Sequence, residues 1–550
     1  MSNSLVRGLV VLSTLASSRA AFAQCATWDQ AVGAQGVHGE VFALQSFNDG
    51  TGAALYVGGA FDTAGGFAAN NIAKWNGTSW SALGSGFDNT VNAIQVFDDG
   101  SGPALYAGGE FSSAGGVSAS AIARWNGASW SSVGGGITGF AHFVRALAVF
   151  DDGTGAALYA GGLFFLAGGN RASCIAKWDG TNWSALGAGL QGGQVFALRV
   201  FDDGSGSALY AAGSFEVVGG ASANNIAKWN GTSWSALGAG LGDSASTVYA
   251  LEVFDDGSGP ALHAGGSFTT AGGTSVHNIA KWNGASWSDV GGGTDRFVTA
   301  LQAFDDGSGG ALYAGGSFGA IGGTNASRIA KWDGANWSPL GSGVLHHWVT
   351  ALTVFDDGTD ADADLFVGGA FSTAGGAPAN NIAKWQGCGT TSFCFGDGSV
   401  VACPCANNGS PGHGCDNSAH TSGALLSVSG AASLASDTVL FDASGEKPNA
   451  LSVLTQGQTQ VNAVPFGQGL RCVSGHLVRM YVEHATNGAF SAPTGSEPKV
   501  HARSAAAGDT IASGSSRYYF AYYRDPTVLG GCPSTSTFNS TQSLRLIWSP

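Results

Sequence analysis

Few side chains in this 550-residue sequence could do acid–base, metal or stacking chemistry: Asp and Glu total 37, Lys and Arg 22, His 11. Most of those outside regularly recurring positions fall in short connections. His142, Asp243, Asp295, Arg296, His346, His347 and Trp348 lie where otherwise similar segments differ. Glu110 and Glu216, with His38, Arg171, His277 and Arg328, occupy neighbouring loops. Trp348 beside two histidines offers a stacking face for a sugar or peptide. Glu110 and Glu216 facing one cavity would be the carboxylate pair of a glycosidase. His346 and His347 are a poor metal pair, because adjacent side chains of an extended segment point to opposite sides. Asp357, Asp360, Asp362 and Asp364 supply alternating oxygen donors that would suit calcium, without EF-hand order or its terminal Glu. Cys403 and Cys405 with His413 would be a zinc set, but cysteines in an exported chain favour disulfides. There is no P-loop, no H-E-x-x-H and no Ser/His/Asp motif. Solvated loop side chains are the plainer account of most of these groups.

A repeat positions them. Val91-Asn-Ala-Ile-Gln-Val-Phe-Asp-Asp-Gly100 recurs from Val41, Val144, Val195, Val248, Val298 and Val349, at intervals of 50 to 53 residues. A period near 50 built of short strands predicts propeller blades. Each copy reads as four strands. In the second copy these are a largely apolar stretch from Val91, a stretch from Ala104, a third ending at Trp125, and a fourth from Trp130. Asp98-Asp99-Gly100 is the first turn, its Asp side chains expected to cap backbone amides, and Asn126-Gly127 is a tight hairpin. The fourth-to-first and second-to-third connections then share one face, where variable loops on a rigid scaffold favour binding. The two tight turns share the other.

Fourteen of the 16 tryptophans flank the Asn-Gly-type hairpin, as in Trp125 with Trp130, which predicts cross-strand and blade-to-blade packing. The seventh copy stops after Trp385 with no fourth strand, and the missing piece, Thr27-Trp28-Asp29, precedes the first copy. The N-terminal strand is therefore expected to complete the last blade and remove an open sheet edge. Cys25 and Cys388 fall together in that hairpin and are expected to form a disulfide. The chain-entropy gain from tying so long a loop is on the order of 5 kcal/mol. Cys472–Cys532 and two bridges among Cys394, Cys403, Cys405 and Cys415 are expected beyond it, with Cys174 a buried free thiol.

The net charge of -15 excludes a phosphate-binding basic surface, so nucleic acid is not an expected partner. Arg7, the apolar stretch from Leu9 and Ala21-Phe-Ala23 read as a secretory leader over 1–23, and no later run is long enough to span a bilayer. A lipid anchor at Cys25 fits less well, with Gln24 before it. The expected plan is all-β: a seven-bladed β-propeller over 24–390, a cysteine-rich segment over 391–422, and a small disulfide-containing β-sandwich-like domain over 423–550. The sandwich rests on alternating stretches such as Leu477 to Val482 and Arg517 to Arg524.

Leu105-Tyr-Ala-Gly-Gly109, then Ile122-Ala-Arg-Trp125 and Trp130, resemble kelch and galactose-oxidase-like propellers, except for a shorter Asn-Gly turn. The fuller string is similar to the extracellular repeats of fungal cell-polarity proteins. The region from Cys394 through Ala402-Cys-Pro-Cys405 to Cys415 resembles a C-terminal module of secreted planctomycete proteins. The resemblance implies a propeller and no particular activity. A galactose-oxidase-like copper site would need a cysteine-linked tyrosine among histidines, and Cys174 has no such setting. The expected function is thus a secreted or cell-surface binding or scaffold protein, monomeric, without cofactor unless calcium binds. It would take a glycan or protein partner on the variable face. A carbohydrate-active enzyme, hydrolase or lyase, using acids and histidines of that face is the alternative.

Overall fold

The structure is a computed structural model. It describes residues 27–29, 32, 36–306, 310–357, 363–387, 391–393, 403, 413–429, 432, 434, 437–466, 468–512, 515–527 and 537–548. The fold is all-β and propeller-like: small antiparallel sheets follow one another along the chain.

Among the described residues, seven sheets share one four-strand path. In the second copy the order is Val91–Asp98, Pro103–Gly109, Ile122–Trp125, Trp130–Ser132, each strand antiparallel to the next. Val91–Asp98 and its counterparts are called inner strands below. In the sheet of the seventh copy the last place is held by Thr27–Asp29, where Trp28 pairs with Trp385 as Trp130 pairs with Trp125. The two rings meet edge to face at 5.2 Å. The indole N–H of Trp28 donates to the Leu340 carbonyl at 3.0 Å, the bond that Trp130 makes to Leu83 and Trp183 to Val133.

Small residues let neighbouring sheets approach. A Cβ on Gly58 would come 2.6 Å from Val91 of the next sheet, one on Gly108 2.4 Å from Val144, and one on Gly161 2.5 Å from Val195. The relation runs on to Gly315 against Val349, and a Cβ on Gly368 of the seventh copy would come 2.5 Å from Val41 of the first. The second residue of the Ile-Ala-Lys-Trp strands is likewise shut in, and the residue before each takes a left-handed conformation. Asn71, Asn278 and Asn381 tolerate it, whereas Ala121 and Cys174 occupy it at φ 58° and 63°. Cys174 is a free buried thiol, and its Sγ donates to the Gly193 carbonyl where Asn71 uses its amide on Phe87.

The Asp-Asp-Gly turns divide their labour. The first Asp caps amides: Asp98 Oδ1 accepts from Gly100 N at 2.9 Å and Gly102 N at 3.0 Å. The second pairs with the lysine of Ile-Ala-Lys-Trp, as in Lys177–Asp152 at 2.6 Å and Lys228–Asp203 at 2.7 Å, and accepts a tyrosine hydroxyl, Tyr159 at 2.9 Å and Tyr210 at 2.7 Å. Burial opposes ionisation of these carboxyls, but lysine and hydroxyl donors prevail and hold Asp152 and Asp203 down at about 2. Their contribution to stability is therefore intact above the ordinary carboxyl range and lost as pH falls through about 2.

In the fifth copy His263 replaces the tyrosine. It is fully buried, and that burial pushes its pKa down to about 4. Between pH 6.5 and 4 the unfolded chain takes up a proton that the folded chain refuses, so stability falls as the medium is acidified through that window. His263→Tyr restores a hydroxyl for Asp256 and removes this penalty. The substitution is expected to stabilise by about 2 kcal/mol more at pH 4.5 than at pH 8. Thermal unfolding at the two pH values checks it; equal shifts at both would show that His263 carries no such penalty.

Among the described residues the C-terminal unit holds a hairpin of Thr459–Phe466 with Gly469–Ser474 and two larger sheets. One runs Thr391–Phe393, Ser543–Ile547, Ser516–Arg524, Leu451–Gly457, Val478–His484; the other runs Leu425–Ser429, Leu440–Ser444, Phe490–Ala492. Phe441 and Tyr519 stack across them at 4.7 Å. The helix Val500–Ala506, absent from the strand-only expectation, belongs to a buried polar network: Gln456 donates to Ser504 and to Asp509, each at 2.7 Å, and Arg517 grips Asp509 through two bonds of 2.7 Å. The described part of 391–422 is built into this unit. Thr391–Phe393 pairs with Ser543–Ile547, and Asn417 donates to Tyr523 and Gly445. Cys403 and Cys415 form a disulfide and Cys472 is disulfide-bonded. Cys25, Cys388, Cys394, Cys405 and Cys532 lie outside the described residues.

Candidate functional site

All seven inner strands line one cavity of about 230 Å³. Its wall is an apolar pair from each copy, such as Ala93 with Ile94 and Ala146 with Leu147. Just before that pair every inner strand carries a β-bulge, where the pairing register skips one residue. Val144 pairs with Gly162 and Ala146 with Gly161, leaving Arg145 over; Asn92 is skipped the same way. A bulge re-aims the extra side chain out of the ladder. The strands thereby present a ring of seven residues of five types at the cavity: Phe42, Asn92, Arg145, Phe196, Tyr249, Thr299 and Thr350.

The ring has two halves. Thr299 donates to the Val349 carbonyl, Thr350 to the Val41 carbonyl, and Asn92 to the Val144 carbonyl at 3.4 Å, so these three stitch neighbouring copies together. The other half is aromatic and cationic. The Arg145 guanidinium lies over Phe143 at 4.6 Å and Phe196 at 5.4 Å. Phe196 meets Tyr249 at 5.2 Å, and Tyr249 meets Phe297 at 6.1 Å. Burial lowers the Arg145 pKa against a weaker opposing pull from Glu110, whose Oε1 is 3.4 Å away. Cation–π contact of this kind is worth about 0.5–2 kcal/mol and orients the guanidinium plane. Two exposed aromatic rings of the third copy, Phe140 and Phe165, lie in its loops.

A second ionic device joins the inner strands of the fourth and fifth copies. Arg199 Nη2 reaches Glu252 Oε1 at 2.6 Å, yet burial pushes the Glu252 carboxyl up to about 7, with Arg199 opposing.

The loop residues singled out above are largely tied into local hydrogen bonds. Asp243 accepts from Ala245 N at 3.0 Å and Ser246 Oγ at 2.9 Å, and Asp295 accepts from Gly319 N at 2.9 Å and Ala320 N at 3.1 Å. Both fasten loops. Arg296 is exposed, its carbonyl accepting from Thr294 at 2.6 Å. The His142 ring bonds the Gly139 carbonyl at 3.1 Å. Arg328 binds the carbonyls of Val344, His346 and His347, so a single guanidinium pins the His-His-Trp loop. His346 sits at φ 93°, its ring 2.6 Å from Ser372 Oγ, while the His347 ring meets Trp348 edge-on at 5.7 Å. The strained backbone turns His346 and His347 to different neighbours. Glu110 reaches the rim through Arg145; Glu216 is exposed on a loop whose amide donates to Gln191. Asp357 and Asp364 both lie against Lys384, at 3.1 and 3.2 Å, and Asp360 and Asp362 lie outside the described residues.

The rim residues Arg145, Phe196, Tyr249, Phe143 and Phe297 are not among the loop candidates. For Arg145, Phe196 and Tyr249 the signal was present as the one variable letter in Val-x-Ala, a position inside the best-repeated strand, and Phe143 and Phe297 stand just before that Val.

No family model matches the chain, and no curated protein matches it. Among solved structures it is similar to the extracellular domain of the one-component system BT4673 from B. thetaiotaomicron, with TM-score 0.37 and 11% identity over 96% of this chain and 60% of that one. A structure of that extracellular domain described as a hybrid two-component system gives TM-score 0.38 and 9% identity, over 96% and 59%. BBS1N in complex with ARL6DN gives TM-score 0.35 and 12% identity, over 66% of this chain and 97% of that one. The chain spans about 60% of the length of the first of these. Among the described residues no helix is long and apolar enough to cross a membrane.

Proposed function

We propose that residues 24–390 form a seven-bladed propeller closed by its N-terminal strand. The protein is a secreted or cell-surface binding protein whose glycan or protein partner docks at the bulge ring and the loops around it. The observation that carries this is the ring itself: seven equivalent positions, re-aimed by the same bulge, filled by five different residue types around one cavity. A purely architectural position would repeat, as the neighbouring Val, Ala and Leu do. Aromatic faces beside a half-buried cation supply the contact chemistry typical of binding surfaces. An export leader over 1–23, a Cys25–Cys388 bridge at the closure and a monomeric state belong to the same reading.

Immobilised full-length secreted protein should retain a defined glycan or extracellular protein from a screen. Phe196→Ala and Tyr249→Ala should each weaken that binding about 5- to 100-fold, the equivalent of 1–3 kcal/mol, without lowering the melting temperature in proportion. Binding indifferent to both substitutions would move the site off the rim. Polysaccharide turnover that disappears in Glu110→Gln or Glu216→Gln would replace the binding reading by the enzymatic one.

A further inference from the structure

The two halves of the ring are not equally committed. Thr299, Thr350 and Asn92 spend their polar groups on neighbouring carbonyls. Arg145 does not. Among the described residues its ion partner is Glu110, reached by one nitrogen at 3.4 Å, and its buried Nε has no hydrogen-bond partner. A guanidinium offers five donors in a planar fork and favours two parallel bonds to a carboxylate near 2.8 Å, so a single long contact leaves most of that capacity unused. Its plane is already fixed between Phe143 and Phe196, and the cost of partial desolvation has been met in folding. The next two rings along the rim, Tyr249 and Phe297, extend the aromatic surface away from the guanidinium.

We infer that the Arg145 side of the cavity mouth is a subsite for a single carboxylate carried on a six-membered ring with an apolar face, the carboxylate gripped by Arg145 and the ring resting on Phe196 and Tyr249. The inference rests on the rim being the binding face. An acidic sugar residue of the uronic-acid type meets this description and is the source proposed; a small aromatic acid shares the chemistry. A phosphate or a sulfated polyanion fits poorly, because one cation serves the subsite on a chain of net charge -15. Glu110 stands where it competes for the guanidinium, holding it loosely while the subsite is empty.

The test is saturation-transfer NMR and calorimetry on the full-length protein with four probes: methyl glucuronide, benzoate, methyl glucoside and inorganic sulfate. Methyl glucuronide should bind at least about 10-fold better than methyl glucoside. Arg145→Met should abolish the difference, and Arg145→Lys should keep only part of it because the fork is lost. Glu110→Gln removes the competitor and should tighten glucuronide binding about 3- to 10-fold, a gain that a merely structural pair would not give. Binding of benzoate without glucuronide keeps the carboxylate subsite and reassigns its source to aromatic acids. Equal binding of glucoside and glucuronide, unchanged in Arg145→Met, overturns the subsite while leaving the rim as the binding face. Preference for sulfate, or no binding of either carboxylate, also overturns it. Failure of the wider reading shows separately, as a screened partner whose binding ignores Phe196→Ala and Tyr249→Ala.

Discussion

Lys384→Met is expected to be among the most destabilising single substitutions in the chain, by about 3–5 kcal/mol at pH 8. Lys384 is 1% exposed, and its ammonium is shared by Asp29, Asp357 and Asp364 at 3.1, 3.1 and 3.2 Å. Burial alone would drive the proton off, but Asp364 first, then Asp29 and Asp357, more than offset this and hold the lysine above its ordinary range. Methionine keeps the stem and deletes the charge, leaving three carboxylates crowded in a site where Asp364 is fully buried. Those carboxyls would then ionise less readily in the folded than in the unfolded chain. The variant should therefore lose stability as pH rises, and the deficit should shrink toward pH 4. Adding Asp364→Asn should restore about half of the loss at pH 8. Lys74→Met, which removes the charge facing the single carboxylate Asp49, is the reference and should cost about 1–3 kcal/mol. Thermal or urea unfolding of the unsubstituted protein and the three variants at both pH values decides it. A deficit for Lys384→Met no larger than that of Lys74→Met would show that the three-carboxylate cluster has no special weight.

The repeat made the sheets legible because the forces that build them are local and recur: alternating apolar residues, Asn-Gly turns, a tryptophan on either side. The Trp28–Trp385 pairing was legible for the same reason, since a hairpin cut in two still shows both halves. The ion pair between Lys228 and Asp203 was not read, although Lys and Asp-Asp-Gly each repeat plainly. Its partners are 25 residues apart, Asp203 in a turn and Lys228 on a strand, and only the sheet register brings them together. The Asp-Asp-Gly reading was right for amide capping, since Asp98 accepts from Gly100 N and Asp99 from Ser101 N, but it missed the lysine or arginine and the tyrosine partners of the second Asp. The site suffered from a different bias. Variation was sought in loops, where Asp243 and Asp295 differ from copy to copy because each fastens its own loop. The bulge residue lies inside a strand that otherwise repeats, and nothing in its local pattern announces that a register skip turns Arg145 toward the cavity mouth. The left-handed position before each Ile-Ala-Lys-Trp strand stands between these cases. Asparagine marks it in most copies, whereas Ala121 and Arg328 conceal it.

Trp28→Ala addresses the proposed closure directly. If the N-terminal strand serves the sheet of the seventh copy as an ordinary fourth strand, Trp28 should be worth what an internal counterpart is worth. Trp130 provides the standard: each indole packs on the paired tryptophan, at 5.2 and 5.3 Å, and donates to a carbonyl of the preceding sheet, at 3.0 and 3.2 Å. Each also covers a left-handed glycine, Gly375 for Trp28 and Gly115 for Trp130, where an added Cβ would strike the ring at 2.6 and 2.9 Å. Truncating a tryptophan in such a setting costs about 3–5 kcal/mol, and both variants should fall in that range. Their further behaviour should differ. Trp130 lies within a continuous hairpin, so its sheet keeps its outer strand when the ring is lost. Thr27–Asp29 is three residues long and is held to Ile382–Gln386 without a hairpin turn of its own, so once the proposed Cys25–Cys388 bridge is reduced, Trp28→Ala should let it leave altogether. That bares the backbone edge of Ile382–Gln386, and an unpaired edge of this kind recruits other chains. Trp28→Ala should therefore show concentration-dependent association by light scattering well below its melting temperature, and Trp130→Ala should not. A Trp28→Ala protein that loses less than about 1 kcal/mol and stays monodisperse would mean that the ring is held shut by the contact between Gly368 and Val41 and the bond from Thr350 to the Val41 carbonyl, with the terminal strand an accessory.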